Sequence, residues 1–163
     1  MKRTALLALM AGATLGLSAC AFQPLHGSSQ QVSAMRGITV AVEGQERIDQ
    51  MLAESLNDRF GTPSGGRYRL AAETNVTTSG LGVGADDVAT RSALSLSVDF
   101  SLIDAGSGSP VLTETVRTEA TFDIPPQPYA AVSARRDAEE RAAREAADRI
   151  ALRVARYINR GGQ

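Results

Sequence analysis

The 163-residue chain has no tryptophan, and Phe and Tyr together make up 4% of it, so neither a sugar-stacking platform nor a large aromatic pocket is encoded. Lysine occurs once, at Lys2, and histidine once, at His26. The glycines of residues 79–87 are therefore not followed by the lysine that a phosphate-cradling P-loop requires. One histidine among scattered acids gives no zinc spacing, and a Ser-His-Asp arrangement would have to draw its base from a polar segment near the N-terminus. No set of residues in nucleophile, base and oxyanion roles stands out, which reads against an enzyme. With 17 basic and 18 acidic residues the formal net charge is −1, and nothing in it suggests a nucleic-acid partner. Internal repeats are absent. The longest apolar run, residues 5–17, falls short of the roughly 20 residues that cross a bilayer.

That run is informative for another reason. It follows Lys2 and Arg3, is interrupted only by Gly12, Thr14 and Gly16, and ends at Leu17-Ser18-Ala19-Cys20. A basic start, an apolar stretch and small residues before a cut point make a secretory signal. Here the small residues lead straight into the only cysteine of the chain, which has no partner for an internal disulfide. The expected product is a lipoprotein: residues 1–19 are removed, the Cys20 sulfur carries diacylglycerol and its freed amine takes a further acyl chain. One chain binds a membrane only marginally, whereas two or three, at about 0.8 kcal/mol per buried methylene, anchor firmly. The mature chain keeps 144 of the 163 residues, enough for one domain with a real core, and has a net charge of −3 from 15 arginines and 18 acids. All its basic residues are arginine, which suits phosphate and carboxylate, although a base-composition bias of the genome produces the same pattern. No other cofactor is implied, and no metal site.

After Cys20, residues 20–36 read as an extended tether, with Pro24 and a Ser- and Gln-rich stretch offering little to bury. A single domain is expected over 37–160. Alternation of Ile38, Val40 and Val42 predicts a strand, and the i, i+3, i+4 stripe Ile48, Met51, Leu52, Leu56, Phe60 predicts a helix stopped by Gly61 and Pro63. Tyr68, Leu70, Ala72, Thr74 and Val76 alternate with polar residues in a second strand. Residues 79–87, with three glycines within five positions, predict a mobile loop; Asp86 and Asp87 in it are adjacent acids of the kind usually just solvated. The clearest strand spans about 91–104, with Leu94, Leu96, Val98, Phe100 and Leu102 on one face; a turn at residues 104–109 returns the chain through Leu112, Val116, Ala120 and Phe122. Residues 124–129, with three prolines, are expected to block regular structure, and a last helix is expected over about 133–159. The fold class that results is α+β: a two-layer α/β sandwich, order β-α-β-β-β-α, with two helices on one face of a four-stranded, mainly antiparallel sheet.

The opening Cys20-Ala21-Phe22-Gln23-Pro24-Leu25-His26-Gly27 resembles the C-G-F-x-P-L-Y-G start of the LptE family of lipopolysaccharide-assembly lipoproteins in its alphaproteobacterial form. Alanine stands here for the usual glycine and His26 for the usual tyrosine. Thr90-Arg91 before an alternating strand that ends in Leu102-Ile103-Asp104, and Arg136-Asp137-Ala138-Glu139-Glu140-Arg141-Ala142 in the terminal helix, are also like that family. The resemblance implies a non-enzymatic lipoprotein of the outer membrane, anchored on its periplasmic side, that plugs and helps assemble the LptD β-barrel during lipopolysaccharide delivery and binds the lipid. Arg91, Arg67, Arg69 and Arg117, expected on one side of the sheet, are the candidates for lipid A phosphates; taken singly, each reads more readily as a solvated surface arginine. The other reading left open is an envelope lipoprotein serving as a binding or scaffold module for a different periplasmic partner, in lipid transport or cell-wall synthesis.

Overall fold

A computed structural model describes residues 35–44, 46–63, 65–83 and 89–161. Cys20, the signal segment, the tether through residue 34, and Asp86 and Asp87 lie outside the described residues. The elements run β1 (Thr39–Glu43), α1 (Arg47–Phe60), β2 (Tyr68–Val83), β3 (Ala89–Asp104), β4 (Pro110–Asp123) and α2 (Pro128–Asn159). This is the α+β order read from the sequence.

The sheet order is β1-β2-β3-β4. Strands β2, β3 and β4 form an antiparallel meander, and β1 pairs in parallel with the first part of β2, Thr39 opposite Arg69 through Glu43 opposite Glu73. Parallel neighbours cannot be joined by a tight turn, and α1 is the crossover. The β3–β4 turn is organised by Asp104, whose Oδ1 accepts the Gly106 and Ser107 N–H groups at 2.9 and 3.1 Å.

Even-numbered strand residues face the helices: Leu70, Ala72, Leu94, Leu96, Val98, Phe100, Leu102, Val116 and Ala120 are buried. Against them α1 presents Ile48, Leu52, Leu56 and Phe60. Helix α2 presents mainly alanine: Ala138, Ala142, Ala143, Ala146 and Ala147 are all fully buried, followed by Ile150 and Val154. Side chains this small let the backbone lie close to whatever it covers. Where the helices meet, Glu139 of α2, buried, accepts from both Arg47 of α1 and Arg135, the latter at 3.0 Å.

Two expectations are corrected. The glycine-rich stretch is strand as far as Val83: Ser79 pairs with Ala93, Gly80 with Ser92, Leu81 with Arg91 and Val83 with Ala89. Glycine weakens a strand without forbidding it, and a hairpin already in register from Tyr68 to Thr78 extends at little further entropic cost. Likewise α2 begins at Pro128, inside the stretch expected to be irregular. Proline is well suited to the first helical position, where its missing N–H has no partner to lose; the Ala131 N–H already donates to Gln127 O at 3.1 Å.

Candidate functional site: the uncovered sheet face

Both helices lie on one side, so the odd-numbered strand residues form a face that no described element covers. It is built from small hydroxyl-bearing residues, with Thr77 and Ser79 on β2, Ser95, Ser97 and Ser101 on β3, and Thr113, Thr115 and Thr121 on β4. Short side chains at alternate positions make a flat surface, and each hydroxyl both donates and accepts. Ser101 and Thr113 share a hydrogen bond at 3.1 Å, and Thr115 donates to Asp99.

Of the four arginines singled out from the sequence and expected on one side of the sheet, Arg69, Arg91 and Arg117 are odd-numbered strand residues of this face, whereas Arg67 precedes β2 and rests on Tyr68 and Asp104; the four do not form a cluster. Arg69 lies on β2 opposite Ile103, Arg117 on β4 opposite Ser97, and Arg91 begins the pairing of β3 with β4, opposite Asp123. At roughly 3.3 Å per residue, Arg91 and the position facing Arg69 are about 40 Å apart along β3, with Arg117 about midway. Two of the four are already held. Arg67 Nε donates to Asp104 Oδ2 at 2.9 Å with its guanidinium 5.2 Å from the centre of the Tyr68 ring, and Arg91 Nε donates to Asp123 Oδ1 at 2.9 Å. Arg69 and Arg117 are exposed and form no ion pair with a described residue.

Beside Arg117 an open groove of about 560 Å³ is lined by Thr77, Ser95, Ser97 and Arg117 of this face together with Glu145 and Arg149 of α2. Its donors and acceptors suit a polar partner. Among the described residues no group of His, Cys, Asp or Glu is placed to hold a metal ion.

The Arg67 pair fixes the ionisation of Asp104. Its carboxyl lies below the ordinary 3.8 chiefly because Arg67 donates to it, and secondarily because the Ser107 N–H does. A carboxylate depressed in the folded state stabilises the fold fully above its ordinary value, and that contribution is lost as pH falls below it. Asp104→Asn is therefore expected to be less stable than the parent at neutral pH, with the gap closing below about pH 3.8 in urea titrations run as a pH series. A gap that is constant across that range would rule out the pairing as its cause.

Sequence reasoning missed the arginines that bind the far edge of the sheet. Arg149 Nη1 donates to the backbone oxygen of Arg117 at 2.6 Å, Arg141 Nη2 to that of Thr121 at 3.0 Å, and Arg153 pairs with Glu114. Glu140 with Arg144 and Glu145 with Arg149 also form i, i+4 pairs within α2, so Arg149 serves both its own helix and β4. The available signal was spacing: Arg141, Arg149 and Arg153, eight and four positions apart, lie along one stripe of α2. Arginine there reaches β4 carbonyls that face away from β3.

A layer of two helices behind a four-stranded sheet, with a bare hydroxyl-rich front and an alanine-faced terminal helix, defines an α/β sandwich whose chemistry is that of a binding surface. The family profile described as LptE, lipopolysaccharide-assembly, matches residues 35–154. The chain belongs to that family. Among solved structures it is similar to a protein described as a lipoprotein from Caulobacter crescentus, with 32% identity, TM-score 0.64, and 80% of this chain and 96% of that one covered. It shares its fold with rare lipoprotein B from Shewanella oneidensis at 14% identity and TM-score 0.55, covering 77% of this chain and 98% of that one. Lipoprotein B from Nitrosomonas europaea is similar in the same way, at 11% identity and TM-score 0.58, with 78% and 86% covered. No match is found among curated proteins.

Proposed function

We propose that the chain is a lipid-anchored protein of the outer membrane, acylated at Cys20, that seats its uncovered sheet face inside an LptD-type β-barrel, helps that barrel assemble and takes part in passing lipopolysaccharide outward. The observation that carries the reading is the flat, hydroxyl-rich face itself. The lumen of a large transmembrane barrel is polar, and a plug for it needs a broad surface of short donors and acceptors in place of an oily one. Family membership supports the same class of function. No described helix is long and apolar enough to cross a membrane, so the acyl chains on Cys20 would supply the attachment. No catalytic step enters this reading. For lipid A phosphates, Arg69 and Arg117 are available without breaking an ion pair, whereas Arg67 and Arg91 must first leave Asp104 and Asp123.

The test is purification of tagged chain from native membranes in mild detergent. A large β-barrel co-eluting at about one copy per copy is expected; its consistent absence, with a different envelope protein recovered instead, would replace the plug with a scaffold role. Cys20→Ala is expected to move the chain from the membrane fraction to the soluble fraction when the barrel is depleted. Firm membrane retention of that variant without any partner would overturn the anchor.

A further inference from the structure

The two edges of the sheet are finished differently. On β4, the outer edge is closed by guanidinium groups from α2, which occupy the backbone oxygens of Arg117 and Thr121. On the other side β1 covers only the beginning of β2. Its pairing stops at Glu43 opposite Glu73, and the chain then turns away at Gly44 to enter α1. From residue 74 onward β2 has no described neighbour on that side, yet it remains regular strand to Val83 because β3 pairs with it throughout. Asn75, Thr77, Thr78, Ser79, Gly80 and Leu81 are all exposed. Alternate backbone N–H and C=O groups along residues 74–81 thus face outward without a ladder partner, the arrangement that ordinarily accepts another strand. None of the usual devices blunts it: this stretch has no proline, no lysine and no inward charge.

Where β1 leaves, a groove of about 480 Å³ opens, lined by Glu43, Glu46, Asp49, Glu73, Asn75 and Val76. Asp49 is committed, its Oδ2 accepting the Glu46 N–H at 2.9 Å and its Oδ1 the Thr74 hydroxyl. Glu43, Glu46 and Glu73 form no ion pair with a described residue, although nine ion pairs are made elsewhere among the described residues. Glu43 and Glu73 also stand directly opposite one another on the same face of neighbouring strands. Like charges in that position destabilise a sheet, and a cation placed beside both would reverse the sign of the interaction.

We infer that the open edge of β2, residues 74–81, takes up an extended segment of a partner polypeptide as a fifth strand, with a basic residue of that segment seated against Glu43 and Glu73. Backbone pairing supplies the length of contact, and the acid pair supplies register and choice of partner. The incoming strand lies in line with β1, so its end nearest Glu43 is the basic one whichever way it runs. This goes beyond the barrel reading and does not depend on it, because the segment is defined by its chemistry alone.

The test uses the full chain in mild detergent without any barrel. Two fluorescent decapeptides of alternating Val and Thr carry two arginines, one at the N-terminus and the other at the C-terminus; controls carry glutamates in place of the arginines, or N-methyl groups on alternate amides. One of the two arginine peptides is expected to bind at least tenfold more tightly than its glutamate counterpart, and to slow amide exchange at least tenfold in fragments covering residues 74–81. N-methylation on the pairing edge is expected to abolish both effects, and Glu43→Gln/Glu73→Gln to erase most of the preference for arginine. Equal binding by the N-methylated peptides, protection located elsewhere, indifference to peptide charge, or absence of binding at millimolar peptide would each overturn the inference. So would concentration-dependent self-association that the arginine peptides leave unchanged and that protects residues 74–81, since a second copy would then be the occupant.

Discussion

Replacing Gly44 with alanine is expected to lower the stability of the domain by about 3 kcal/mol, although the substitution adds one methyl group at an exposed position. Two costs combine. The backbone at Gly44 has φ of 138°, a conformation that side-chain-bearing residues rarely adopt, and forcing one into it costs about 1 to 3 kcal/mol. The new Cβ would also stand 2.0 Å from Asp49 Oδ2. Asp49 is buried and binds both the Glu46 N–H and the Thr74 hydroxyl, so moving it loosens the start of α1 and its tie to β2 together, at about 1 kcal/mol per hydrogen bond. The expectation is checked by urea titration of Gly44→Ala, Asp49→Ala and the double variant. If the clash contributes as argued, the double variant falls short of the sum of the singles by 1 kcal/mol or more. A single-variant loss below about 0.5 kcal/mol would show that the backbone relaxes freely there.

Phe100→Ala is expected to cost about 4 kcal/mol, a large share of the 5 to 15 kcal/mol typical of a small domain. Phe100 stands on β3, an inner strand, and is 2% exposed. The size of the loss reflects what surrounds it. Its partner on β2 is Ala72, which has no side-chain rotamer with which to fill a void. The cavity therefore stays open and its lining loses contacts outright. Phe122, half-buried near the end of β4, provides the comparison: Phe122→Ala is expected to cost no more than half as much. Equal losses at the two positions would contradict the view that cavity collapse decides the difference. The midpoint should shift with little change in the slope of the urea transition if the native fold is kept.

The parts of the fold that could be read in advance are those where one residue period runs without interruption. Leu94 to Leu102 alternate five times, and the stripe from Ile48 to Phe60 keeps its spacing through a whole helix; in each the pattern reports a buried face directly. The misreadings come from residues whose local preference was outvoted. Gly80 and Gly82 prefer turns, yet a partner strand in register holds them extended. Pro128 breaks helices in their interior, yet at a first position it starts one. The uncovered face was legible as polar because its residues alternate with the core. That Arg69, Arg91 and Arg117 are spread along about 40 Å of it was not, because distance along a strand follows from pairing register, which a single sequence does not state. The acid pair Glu43 and Glu73 was invisible for the same reason: thirty residues separate them, and only the parallel pairing of β1 with β2 sets them side by side.

The alanine-faced helix α2 follows all four strands in sequence, and this sets the timing of folding. The β2-β3-β4 meander closes through near neighbours and can form as soon as it is complete. Its apolar side, however, has no lid until residues 128–159 arrive, and α1, made earlier, has only part of its final wall. A growing or threading chain consequently carries its strands without a sealed core, and the domain becomes a compact body only when residues 128–159 are free to dock.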